Sequence, residues 1–78
     1  MDMQDLITEF SQRQDARELV HAAQTILTGN QQAVRDLCNP WGVNLRENKR
    51  YRPMDTIKQE LRIALTERAM KLKSATRI

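Results

Sequence analysis

The chain has one cysteine, one histidine, two glycines, two prolines and three aromatic residues among its 78 positions. Each scarcity excludes something. A lone cysteine, Cys38, makes no intramolecular disulfide, and with His21 as the one histidine a structural zinc site has too few ligands. Two glycines cannot build a glycine-rich phosphate loop. One Trp, one Tyr and one Phe leave the core to aliphatic side chains. No apolar run approaches the roughly 18 residues that a membrane span needs. The start, Met1-Asp2-Met3-Gln4-Asp5, is acidic and lacks the apolar segment of a signal peptide. The expectation is an intracellular chain, cytoplasmic or nuclear, in a reducing compartment, with no metal, no cofactor and no membrane partner.

What is present is enough for one small domain over residues 1–78. Apolar residues make up 40% and charged residues 29% of a 9.1 kDa chain. A chain of this size buries only about 60% of its unfolded surface, so its stability margin is thin. The net charge of +3 conceals a division. Residues 1–45 carry three arginines against six carboxylates, a balance of −3. Residues 46–78 carry ten basic side chains against four acidic ones, a balance of +6. Such asymmetry fits a half that faces a polyanion and an acidic remainder; a solvated helix surface is the plainer explanation.

The apolar pattern is helical. Met3, Leu6, Ile7 and Phe10 recur at helical spacing, as do Ala16, Leu19, Val20, Ala23, Ile26 and Leu27. The wholly polar Ser11-Gln12-Arg13-Gln14-Asp15 separates them. Residues 2–28 therefore form an acidic region of two helices broken near 12–15, or one helix with a weak middle; two are favoured. Asp15 and Glu18 have capping-box spacing. Gly29 is expected to close the region in the left-handed conformation. Asn30 is placed to cap a short helix over 31–38 with Ala33, Val34 and Leu37 inside. Asn39-Pro40 should stop it, because a residue before proline avoids the helical region. Residues 44–52 are polar and basic, without apolar periodicity, and read as an extended loop. Pro53 suits the first position of a last helix reaching about residue 73. Its core stripe is Met54, Ile57, Leu61, Ala64, Leu65, Ala69 and Leu72, with Ile63 and Met70 on a second face. Residues 74–78 are expected to fray. The fold class is all-α, a small bundle of three to four helices with an extended basic loop before the last.

No catalytic constellation is visible. A Cys38–His21 nucleophile pair is formally available, but a buried structural cysteine and a partly exposed histidine are the simpler reading. The chain is read as a non-enzyme.

The informative block is a helix, a closing triplet Trp41-Gly42-Val43, a basic loop and a second helix. It is similar to the helix–extended loop–helix of the SAP and HeH families of small nucleic-acid-binding domains, over residues 31–66. Val34 and Leu37 match the first-helix core, Trp41-Gly42-Val43 the closing step, Lys49, Arg50 and Arg52 the basic lead-in, and Ile57, Leu61 and Leu65 the second-helix core. The resemblance implies contact between the basic lead-in and a DNA backbone.

The residues themselves point the same way. Arg46, Lys49, Arg50 and Arg52 place four cations within seven residues. Each phosphate they neutralise releases counterions, giving salt-sensitive and largely sequence-blind affinity. Tyr51 is divided between packing and contact with a base, sugar or phosphate. Lys58 and Arg62 are expected to extend the track, and the start of the last helix offers free N–H groups to a phosphate. Glu47, Asp55, Glu60 and Glu67 interrupt the positive charge. Trp41 reads as a core anchor before a stacking platform, and Gly42 as a position needing positive φ. The expected partner is nucleic acid, DNA before RNA. The rival expectation is a protein-interaction or homo-oligomerisation module, an adaptor or inhibitor. There the acidic helices of one copy would meet a basic partner surface, and Met3, Phe10, Ile63 and Met70 would supply apolar contacts.

Overall fold

A computed structural model describes residues 2–75. Four helices, α1 (Met3–Phe10), α2 (Arg17–Thr28), α3 (Gln31–Cys38) and α4 (Met54–Ala75), form a small bundle. A two-residue-per-strand hairpin, β1 (Arg46–Glu47) and β2 (Arg50–Tyr51), interrupts the link between α3 and α4. The all-α class holds, with that hairpin as the only sheet among the described residues. No described helix is long and apolar enough to cross a membrane.

The N-terminal region is two helices. A single 3-10 turn at Gln14–Ala16 leads into α2. The capping box does not form, since α2 has no side-chain cap. Asp15 is held instead by the Arg13 guanidinium, through Nε at 3.0 Å and Nη2 at 2.7 Å. That bidentate pair lowers the Asp15 carboxyl from its ordinary value, chiefly through the hydrogen bond. Arg13 also lies 5.3 Å from the Phe10 ring and donates to the Leu72 carbonyl at 3.5 Å. The polar break thus fastens the α1–α2 corner to the far end of α4. Lys73 and Glu9 add an ion pair at 2.7 Å across the same junction.

Gly29 departs from expectation. Its φ of −76° and ψ of 159° are extended, not left-handed. Glycine is needed for proximity: its N–H reaches the Thr25 carbonyl at 2.7 Å, and a Cβ there would stand 2.6 Å from that oxygen. Asn30 caps α3 as expected, its side-chain oxygen accepting from the Ala33 N–H at 2.8 Å. Asn39 remains in the helical region despite the following proline, with φ −62° and ψ −54°. The chain therefore winds on through Pro40 and Trp41 until Gly42, at φ +69°, reverses it. Val43 N–H then bonds the Cys38 carbonyl at 2.8 Å and Gly42 N–H the Asn39 carbonyl at 3.2 Å. This is the Schellman pattern, with Gly42 at the left-handed position.

The core is aliphatic with one ring in it. Met3, Leu6 and Phe10 from α1, Leu19, Ala22, Ala23 and Ile26 from α2, and Val34, Leu37 and Cys38 from α3 are buried. They meet Ile57, Leu61, Leu65 and Ala69 of α4. Met3 and Phe10 are 1% exposed, so they are core and not contact residues of a partner surface. Met54 and Leu72 of the expected α4 stripe are only partly buried, at its two ends. Helix α4 begins one residue after Pro53, whose carbonyl accepts from the Ile57 N–H at 3.0 Å. Ser74 and Ala75, expected to fray, continue α4; residues 76–78 lie outside the described residues.

Candidate nucleic-acid interface

The basic stretch is a built element. Val43 and Leu45 pack partly buried against the core and anchor its base. The strands pair antiparallel with Arg46 opposite Tyr51 and Glu47 opposite Arg50. Arg52 N–H to the Leu45 carbonyl, 2.9 Å, continues the ladder. Asn48 and Lys49 form the turn at φ 52° and 67°. Two consecutive left-handed residues make a type I′ turn, whose twist matches the strands it joins. Asn tolerates that conformation; lysine carries a steric penalty in it. The absence of a glycine hid the hairpin from sequence reasoning, since Asn-Gly is the usual signal.

The pairing sorts the site residues by face, because directly opposed residues project from the same side of a two-stranded ribbon. Arg46 and Tyr51 share one side. The Arg46 Nη2 donates to the Tyr51 hydroxyl at 3.1 Å, and its guanidinium lies 4.7 Å from the ring centroid. A second guanidinium, from Arg35 of α3, lies 4.5 Å from the same centroid. Tyr51 thus gathers two cations from distant parts of the chain. The hydrogen bond from Arg46, then its charge, hold the Tyr51 hydroxyl below its usual value of 10.0. Arg35 Nε is buried without a hydrogen-bond partner, a donor left over at the root of the cluster. Arg50 shares the other side with Glu47, and Lys49 sits at the tip; all three are exposed.

Arg52 is placed differently. Its side chain is only 16% exposed. The guanidinium Nη1 forms an ion pair with Glu60 Oε2 of α4 at 2.5 Å and donates to the Asn44 carbonyl at 2.9 Å. It ties the hairpin to α4 and is engaged from within. Lys58 and Arg62 are not drawn into the cluster. Each is two residues from Glu60, so each projects about 200° around the helix from the side to which Arg52 is tied. The first N–H groups of α4, at Met54, Asp55 and Thr56, precede the first intrahelical bond and adjoin the hairpin's exit.

Arg35 is the residue that sequence reasoning missed. It lies sixteen positions before Tyr51 on a helix whose polar face gives no reason to single it out. Trp41 packs partly buried against the core, with Arg68 of α4 at 5.7 Å from its ring. His21 is exposed while Cys38 is 1% exposed, and burial pushes the Cys38 thiol above its ordinary value. Among the described residues no group of three or more His, Cys, Asp or Glu side chains could hold a metal ion. Comparison of the chain with protein-family models, with curated proteins and with solved structures found no match.

Proposed function

We propose that this domain binds nucleic acid, DNA in preference to RNA, without catalysis, through the basic hairpin. The observation that supports it most directly is the Arg35–Tyr51–Arg46 cluster, two guanidiniums held against one ring, with Arg50 and Lys49 on the same short ribbon as Tyr51. Rigidity matters because ordering long side chains on binding costs about 0.5–1.5 kcal/mol each. Tyr51 and the strand pairing have already restricted Arg46 and Arg35. Arg46, Lys49 and Arg50 then neutralise phosphates, Arg35 supports the cluster from behind, and Arg52 holds the hairpin against α4. Lys58 and Arg62 widen the positive field from the neighbouring flank without sharing the contact. The similarity of residues 31–66 to SAP-like domains supports the same reading, with the extended loop here folded into a hairpin.

The test is a titration of labelled double- and single-stranded DNA at two salt concentrations. Three to four phosphate contacts give a log–log salt slope of roughly −3 on duplex. The K49E/R50E variant should lose binding while its helical circular dichroism is unchanged, because both side chains are exposed. Affinity that survives both reversals and is flat in salt refutes the proposal. A second reading, a protein-interaction module, is favoured by the exposure of Ile63 and Met70, at 51% and 60%.

A further inference from the structure

Helix α4 carries a face that the bundle does not use. Its buried residues, Ile57, Leu61, Leu65 and Ala69, lie along one side. Ile63 and Met70 lie on the opposite side and are among the few large apolar side chains left exposed. They are seven residues apart, so they stack along one line of the helix surface. A shallow groove of about 360 Å³ lined by Gln59, Arg62, Ile63, Thr66 and Glu67 runs along the same face. Arg62 and Glu67 stand on either side of Ile63, and among the described residues neither pairs with an opposite charge.

We infer that this face binds a second copy of the chain, with two α4 helices packed in parallel about a two-fold axis. The charge pattern selects the occupant and the direction. With Ile63 and Met70 as the central a positions of a heptad, Arg62 is a g position and Glu67 the following e position. In a parallel pair, a g residue meets the e residue five positions on in its partner. Arg62 of each copy therefore meets the partner's Glu67, twice over by symmetry. In an antiparallel pair g meets g and e meets e, so setting Ile63 against the partner's Met70 brings Glu67 against the partner's Glu67 and leaves Arg62 with no carboxylate opposite it. The groove at Gln59–Glu67 supplies the hole for the partner's Ile63. Thr66 occupies the intervening d position, and two large apolar side chains per copy fall short of the roughly 800 Å² per partner of a stable interface. The dimer is therefore weak, forming at about 10⁻⁴ M. Parallel packing places both basic hairpins at the same end of the dimer, where one nucleic acid can engage both.

Sedimentation equilibrium of the full chain from about 10 µM to 1 mM tests the association. The wild type should pass from monomer to dimer, and I63E/M70E should remain monomeric with unchanged helical content. R62E should weaken association several-fold, and R62E/E67R should restore it. Oxidative cross-linking tests direction, Cys38 being buried. I63C and M70C should each form a disulfide dimer alone, faster than an equimolar mixture forms the heterodimer. A wild type still monomeric at the top concentration overturns the inference. So does a dimer indifferent to I63E/M70E, or one in which only mixed I63C and M70C cross-link. None of these outcomes depends on DNA, so they stand apart from the hairpin titration.

Discussion

Replacing Lys49 by glycine should make the protein more stable and worse at binding. Lys49 holds φ at 67°, and a left-handed conformation costs an L side chain about 1–2 kcal/mol. Glycine removes that penalty. It also frees the unfolded chain, which returns about 0.5–1 kcal/mol. The net gain is about 0.5–1 kcal/mol, equivalent to a rise in Tm of roughly 2–8 °C for a chain of this length. Lys49→Gly also deletes the charge at the hairpin tip, so the salt slope for duplex should fall by about one. Two companions separate the effects. Lys49→Ala loses the charge but keeps the strain, so it should bind as weakly as Lys49→Gly and melt no higher than wild type. Asn48→Gly keeps the charge and changes stability little, because Asn already tolerates its φ of 52°. Thermal melts followed by circular dichroism, with DNA titrations on the same samples, give both readouts. A Lys49→Gly protein that melts no higher than wild type refutes the assigned turn. One that melts higher and binds unchanged refutes the role of the tip.

The tether and the tyrosine cluster give two further tests. Arg52→Ala removes the ion pair to Glu60 and the hydrogen bond to the Asn44 carbonyl, and should lower stability by about 1–2 kcal/mol by denaturant unfolding. Glu60→Gln keeps the shape and should lose less than about 1 kcal/mol; a loss equal to that of Arg52→Ala would show that the charge pair alone, and not the bond to the Asn44 carbonyl, holds the hairpin. Arg52→Lys tests the geometry: both acceptors meet the one nitrogen Nη1, so an ammonium that reaches its place should recover part of the loss. The chain has a single tyrosine, so ultraviolet titration of the phenol reports Tyr51 alone. Its midpoint should fall below 10.0, because Arg46 favours the ionised form in the folded state. Arg46→Gln should move it back up, and a midpoint unaltered by that change would break the link between the two side chains.

Most of the fold was legible because burial and helical period coincide. Every α4 residue now buried, Ile57, Leu61, Leu65 and Ala69, stands on the apolar stripe that periodicity predicts. Helix α3 spans the expected residues 31–38 behind its Asn30 cap, although the helical winding runs past the Asn39-Pro40 step and is reversed at Gly42. The errors share one cause: local rules assume that a side chain or backbone serves its nearest neighbours. Asp15 had a capping partner in range but is held more strongly by Arg13, whose guanidinium also reaches the Leu72 carbonyl. Gly29 is required by a carbonyl one turn back and not by its own dihedral angle. Asn39 stays helical because the Schellman turn at Gly42 has already satisfied the carbonyls of Cys38 and Asn39.

The site was legible as charge and illegible as geometry. Counting finds Arg46, Lys49, Arg50 and Arg52 but treats them as equivalent. The two-residue turn separates them, since a strand reverses the side on which each successive residue projects. Arg46 therefore goes with Tyr51, Arg50 with Glu47, and Arg52, at the last bond of the ladder, turns inward to Glu60. A phosphate meets a guanidinium best where its position is already fixed, and the ring of Tyr51 fixes two. One belongs to Arg35, which periodicity assigns to a solvated helix face. Removing that side chain leaves the hairpin's own charge intact, so Arg35→Ala should weaken binding with the salt slope unchanged, the mark of lost preorganisation; a slope reduced by about one would show that Arg35 neutralises a phosphate itself.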